Sequence, residues 1–126
     1  MKVLYIEDDI FKQHDICKAL STCGVNDVDW CDNLSEGWQK VMSSMEGEKQ
    51  YDLIITDMYY PVEPGGVEVR AGDVLIDRVI NNKITIPVIL CSSANLNYSN
   101  IYGCVYYNEM RNWEADLQML VRKLEN

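Results

Sequence analysis

The sequence predicts an α/β fold, a doubly wound five-stranded parallel sheet with helices on both faces. Three observations predict it. Short apolar runs alternate along the whole chain with longer stretches of helical periodicity, the pattern of successive βα units. The run Leu53, Ile54, Ile55 is an unbroken apolar block rather than an alternating one, which suits a strand covered on both faces. Two of the runs stop on acids, Glu7, Asp8 and Asp9 after the first and Asp57 after the central one. Ligands of open α/β sheets bind outside the carboxyl ends of the strands, so these acids stand where chemistry is done.

Taken in order, Lys2 to Ile6 is the first strand, and Ile10 to Cys23 has helical spacing with Phe11, Ile16, Cys17 and Leu20 as its apolar side. Asp9 caps that helix or faces solvent, and Gly24 is its natural stop. Val25 to Cys31 is a weaker strand. Asn33 and Glu36 have the spacing of a helix cap with an acid three residues on, and Trp38, Val41, Met42 and Met45 follow at helical intervals. Ser43 to Gln50 reads as a polar loop leading to the central strand. Between Met58 and Ala71 the pattern is least regular; valines around Pro64, Gly65 and Gly66, from Val62 to Val69, suggest a small hairpin. Asp73 is placed to cap a helix running through about Asn82, and Ile86 to Cys91 is a buried strand. Only 12 residues separate Cys91 from Cys104, so the fourth helix is short or missing. Cys104 to Tyr107 is the last strand, and Trp113, Leu117, Leu120, Val121 and Leu124 line the final amphipathic helix.

Composition narrows the function. The 126 residues suit one compact domain, residues 1–126, without room for an appended output domain. No apolar run approaches the roughly 20 residues of a membrane span, and the N-terminus meets Glu7 too early for a signal peptide; a cytoplasmic protein is expected. A net charge of −9 argues against a nucleic-acid surface, which needs clustered Lys and Arg. The five cysteines form no C-x-x-C pair, which points to buried thiols in a reducing compartment rather than zinc or disulfides. His14, the one histidine, has no partner at metal spacing.

With the flavodoxin-like strand order 2-1-3-4-5, the first and third strands are neighbours, and Glu7, Asp8 and Asp57 converge. At about 4 Å and an effective dielectric near 20, each pair of carboxylates repels by about 4 kcal/mol, so the cluster needs a cation, a proton or a basic side chain. Oxygen-only ligands with room for water suit Mg²⁺ together with a phosphate. Phosphoryl transfer to a carboxylate follows as the natural chemistry.

These residues resemble the receiver domains of two-component response regulators, and the resemblance spans the chain. It is carried by Glu7, Asp8 and Asp9 after the first strand, Asp57 followed by Pro61, Gly72 opening the third helix, and the run from Ile86 and Pro87 to Ser92. The resemblance implies a phosphoacceptor that assists its own aspartyl phosphorylation rather than an enzyme with a separate substrate. Asp57 would accept a phosphoryl group from a histidine kinase or phosphotransfer protein, and an unknown downstream protein would read the result. Asp8, Asp57 and the Tyr59 backbone would bind Mg²⁺, with Glu7 acting through a metal-bound water, and Ser92 would hydrogen-bond the phosphoryl oxygen.

Several positions depart from the family's pattern. The Lys that usually ends the fifth strand falls on Tyr107 or Asn108, so the cationic clamp on the phosphoryl group is expected to be missing. The aromatic that usually couples the site to the signalling face falls on Cys104, and the loop after Asp57 is longer than usual. Tyr59 and Ala94 offer no amide or acid to orient water, which implies slow self-dephosphorylation. The leading expectation is a phosphorylated receiver that signals by protein contact; the alternative is a receiver-like binding module independent of phosphate. A metal-dependent hydrolase lacks a general base near the acids.

Overall fold

The computed structural model describes residues 1–47 and 49–126. Its elements follow in the order β1 (Lys2–Ile6), α1 (Ile10–Thr22), β2 (Asp27–Cys31), α2 (Leu34–Glu46), β3 (Leu53–Thr56), β4 (Tyr60–Pro61), β5 (Glu68–Val69), α3 (Ala71–Asn81), β6 (Val88–Ser92), β7 (Gly103–Tyr106) and α4 (Trp113–Glu125). The main sheet is parallel throughout, in the order β2-β1-β3-β6-β7. That is the expected 2-1-3-4-5 arrangement, with β4 and β5 forming a separate antiparallel pair.

Residues 3–6 of β1 explain the layering. Val3 and Tyr5 belong to one core cluster with Ile16, Leu20, Leu117 and Val121, whereas Leu4 and Ile6 belong to the other with Leu34, Val41, Leu75 and Val79. Successive strand side chains point to opposite faces, so a four-residue apolar block must bury both. Helices α1 and α4 cover one face, α2 and α3 the other. Each fully buried Ile or Leu contributes about 1.5–3 kcal/mol.

The helix ends follow local chemistry. Asp9 caps α1, its carboxylate accepting from the Phe11 and Lys12 amides at 2.9 and 3.3 Å. The exit turns at Gly24, whose φ of +84° a side-chain-bearing residue rarely adopts, and the Val25 amide returns to the Leu20 carbonyl at 2.9 Å. Asn33 caps α2 as its spacing predicts, accepting from the Glu36 amide at 2.9 Å.

Four expectations need correction. Phe11 is 81% exposed, and the buried positions of α1 are Lys12, Ile16, Ala19 and Leu20. The stretch expected to be loop from Ser43 begins as helix, since α2 continues to Glu46; Glu48, within that loop, lies outside the described residues. The hairpin's strands are Tyr60–Pro61 and Glu68–Val69, so Val62 and Val67 lie in its turn region instead of its ladder. Asp73 does not cap α3: the helix starts two residues earlier after Arg70, and Asp73 in its first turn accepts a hydrogen bond from the Tyr98 hydroxyl.

Among the described residues no helix lies between β6 and β7, as the short spacing predicts. Tyr98 and Ile101 pack there against the core face shared by α2 and α3. Among the described residues no helix is long and apolar enough to cross a membrane.

Candidate functional site

Parallel pairing of β1 with β3 sets Ile6 beside Thr56, so the residues that follow each strand leave the sheet at the same edge. Glu7, Asp8 and Asp57 each bring a carboxylate oxygen into a group spanning no more than 4.8 Å. A cavity of about 230 Å³ opens over them, walled also by Tyr59, Glu68 and Tyr107.

Asp57 is 13% exposed, and its Oδ1 accepts from its neighbour Met58's amide at 2.8 Å. Thr56 and Tyr60 brace the backbone below: the Thr56 hydroxyl donates to the Asp57 carbonyl at 2.7 Å and lies 2.9 Å from the Tyr60 hydroxyl. Gly72 closes the other side, its amide donating to the Met58 carbonyl at 3.0 Å. A Cβ on Gly72 would stand 2.2 Å from the Asp57 carbonyl oxygen, so only glycine lets α3 start this close to the site.

Glu7 is fully buried and accepts from the Tyr5 hydroxyl at 3.1 Å and the Asp9 amide at 3.3 Å. Burial pushes its pKa up, the Lys12 ammonium pulls it back and the Asp57 charge adds to the rise. Asp8 is raised to about 7, first by burial and then by the neighbouring Glu68 carboxyl. Glu68 comes from the β4–β5 hairpin, so the irregular segment after Asp57 adds a fifth acid to the cavity wall, beside Glu7, Asp8, Asp9 and Asp57.

The sequence left this site without a cation, and the structure supplies one. Lys12, 4% exposed, extends from the first turn of α1 so that its Nζ lies 2.9 Å from Glu7 Oε1 and 3.1 Å from Asp57 Oδ1. The third N–H goes to the Cys91 carbonyl at the end of β6, at 2.8 Å. All three ammonium donors are therefore used. Burial alone would lower the Lys12 pKa, but the charges around it, Glu7 first among them, carry the net shift upward.

Tyr107, just past β7, does not replace that charge but walls it in. Its ring centroid is 5.4 Å from Lys12 Nζ, its hydroxyl donates to Asp15 at 2.6 Å, and its ring packs on Trp113 at 4.8 Å. Asn108 turns away to donate to the Tyr106 hydroxyl. Ser92 is 2% exposed with its Oγ accepting from the Ala94 amide at 3.1 Å, while Ser93 lines the cavity. Tyr59 is 37% exposed and its hydroxyl accepts from Arg70 at 3.0 Å.

A signal for Lys12 was present in the sequence. Positions 12, 16, 19 and 20 form the i, i+4, i+7, i+8 stripe of an amphipathic helix, and a lysine heading an otherwise apolar stripe beside three acids calls for a buried partner. Glu68 and Ser93 carried no comparable signal.

No family model matches the chain, and no curated protein matches it. Many solved structures do. The N-terminal domain of a response regulator/sensory box/GGDEF 3-domain protein from Carboxydothermus hydrogenoformans superposes with a TM-score of 0.65 at 20% identity, covering 98% of this chain and 93% of that one. The chemotaxis response regulator CheY4 of Vibrio cholerae gives 0.66 at 18% identity, covering 96% of each chain. The chain has the receiver-domain fold. A signal receiver domain of a two-component histidine kinase from Clostridium thermocellum, at 0.67 and 18% identity over 98% of this chain and 95% of that one, agrees. At these identities the likeness shows the fold. Within that receiver fold, the absent helix between β6 and β7 and the tyrosine after β7 are as the sequence indicates.

The donor set fits Mg²⁺. Glu7, Asp8 and Asp57 offer oxygen only, with cavity space for water, and five acids counting Asp9 and Glu68 line the cavity with a single ammonium. Asp8 is raised first by burial, with the neighbouring acids Glu68 and Asp57 adding to the rise, so a cation placed among them would be favoured.

Proposed function

We propose that this chain is a phosphoacceptor receiver, phosphorylated on Asp57 with the help of Mg²⁺ by a histidine kinase or phosphotransfer protein and signalling by protein contact. One observation carries the reading. The Met58 amide and the Lys12 ammonium both meet the Asp57 carboxylate at Oδ1, and every buried side-chain oxygen among the described residues is hydrogen-bonded. Oδ2, which has no such bond, is therefore open to solvent as a nucleophile held at fixed orientation.

In the transfer the new P–O bond forms at Asp57 Oδ2 as the donor's P–N bond breaks. The electron pair leaves with the imidazole nitrogen, which takes a proton from water. Mg²⁺ would be held by Asp8, Asp57 and the Tyr59 backbone, with Glu7 acting through water, and would supply positive charge that favours the transfer. Ser92, at the end of the neighbouring strand, is assigned a hydrogen bond to a phosphoryl oxygen, which requires its Oγ to leave the Ala94 amide. Ile10 and Phe11, 61% and 81% exposed between the cavity residues Asp9 and Lys12, present an apolar edge suited to a protein donor rather than a small molecule.

The test is incubation with Mg²⁺ and a small acyl phosphate, read by intact mass. A single phosphoryl adduct on the wild type, absent from Asp57→Ala, is expected. No adduct on a folded, Mg²⁺-saturated wild type would favour the phosphate-independent binding module.

A further inference from the structure

We infer that Lys12 is the cation that holds the phosphoryl oxygens on Asp57, delivered from the first turn of α1 instead of from the last strand. The inference rests on the phosphoacceptor reading and assigns its missing charge to a side chain.

Four observations lead there. Lys12 Nζ is 3.1 Å from Asp57 Oδ1, so an oxygen of a group bonded to that carboxylate comes within reach of the same ammonium. Lys12 is the one cationic side chain among the described residues lining the cavity; the rest are acids, tyrosines and a serine. Arg70, the nearest alternative on the hairpin side, is fully exposed and committed to Tyr59, with its guanidinium 5.7 Å from that ring. Tyr107 holds its ring beside Lys12 Nζ and its hydroxyl on Asp15, which fills the route from the last strand and leaves α1 as the source of charge.

The chemistry is an exchange of partners. At rest the three N–H groups of Lys12 bind Glu7, Asp57 and the Cys91 carbonyl. Phosphorylation converts the Asp57 carboxylate, with one negative charge, into an acyl phosphate with close to two. One of the three bonds is given up for a phosphoryl oxygen, and the ammonium remains paired throughout. Lys12 in this role touches the reacting group and is catalytic for the transfer as well as a clamp on its product.

The experiment uses the full chain with Mg²⁺ and beryllium fluoride, a tetrahedral mimic of a phosphoryl group on a carboxylate, with binding read by tryptophan fluorescence. Lys12→Met is expected to weaken binding about tenfold to a hundredfold, the scale of one lost charge-assisted hydrogen bond. Adding Tyr107→Lys to Lys12→Met returns the ammonium from the last strand and restores most of the affinity. Wild-type binding that is unchanged in folded Lys12→Met overturns the assignment and leaves the phosphoacceptor reading standing; absence of binding by the wild type overturns both. Should Lys12→Met not fold, the wild type decides: the Lys12 side-chain NMR resonances shift on adding beryllium fluoride. Their staying in place while the Met58 and Gly72 amides move would overturn the assignment.

Discussion

Gly72→Ala tests whether the geometry around Asp57 depends on the close approach of α3. The added Cβ would lie 2.2 Å from the Asp57 carbonyl oxygen, more than 1 Å inside an ordinary contact of about 3.5 Å, and 2.8 Å from Met58 Cα, also well inside it. Both atoms are backbone, so no rotamer change relieves the clash, and either α3 or the segment after β3 must move. Overpacking of this kind costs about 1–3 kcal/mol, and straining the Gly72 amide bond to Met58 adds about 1 kcal/mol. Alanine's better helix propensity returns about 1 kcal/mol. With rigid backbone on one side, the upper part of the range applies, a net loss of about 2–3 kcal/mol and a fall in Tm of roughly 10 °C. Because Met58 donates to Asp57 Oδ1, Mg²⁺ affinity and phosphoryl uptake fall with it. Gly24→Ala is the control: its φ of +84° makes alanine strained by about 1 kcal/mol, but nothing lies within 4 Å of the new Cβ and the site is untouched. Thermal melts and Mg²⁺ titrations of both variants check this. A Gly72→Ala protein that melts within about 2 °C of the wild type and binds Mg²⁺ normally would refute the close-approach reasoning.

Two further outcomes are expected. Asp8, raised to about 7 by burial and Glu68, must lose its proton to bind metal, so Mg²⁺ affinity rises from pH 6 to pH 8 with proton release. The same shift sets a sign for stability: an acid raised in the folded chain stabilises it fully below the acid's unfolded pKa, and this contribution is lost as pH rises through about 7. Glu68→Gln lowers the Asp8 pKa and flattens both profiles, and calorimetric titration across that range measures it. Separately, Tyr59, half-turned to Arg70, and Ala94 give water no acid or amide to orient it, so phospho-Asp57 hydrolyses slowly. Decay of the adduct followed by intact mass checks this, and a half-life of seconds would contradict it.

Much of the fold was legible because its determinants are local in sequence. An apolar block of both-face strands, Asp9 and Asn33 as caps, Gly24 as a stop and the short interval before Cys104 each act within a few residues. The convergence of Glu7, Asp8 and Asp57 followed from strand order alone. What failed turned on tertiary partners. Residue type alone puts Phe11 on the apolar side of α1, whereas the stripe runs through Lys12 because acids from two strand ends meet it there. Asp73 has the chemistry of a cap, but the hairpin delivers the chain so that α3 begins earlier, and a tyrosine from the helix-less segment claims the carboxylate. Glu68 faces Asp8 only because the hairpin folds back over the cavity, a placement no period of 2 or 3.6 encodes.

Lys12 is a local conflict with a global resolution. A cation in the first turn of a helix opposes the macrodipole by about 0.3–1 kcal/mol, and burying an ammonium costs several kcal/mol more unless it is paired. Alanine or glutamate would serve the first turn of α1 better. The residue is stable where it stands because the carboxyls of Glu7 and Asp57 are its partners within 3.1 Å, and those acids tolerate each other because Lys12 lies between them. Removing either side leaves an uncompensated buried charge, which costs about 3–5 kcal/mol. Structural and functional roles of Lys12 are therefore merged in any single substitution: Lys12→Met loses packing, charge balance and the clamp together. Moving the ammonium to position 107 separates them. It restores charge at the acids from the end of β7 while leaving α1 altered, so recovery of phosphoryl-mimic binding without recovery of the α1 packing would show that the site needs a cation at a point in space and not at one place in the chain.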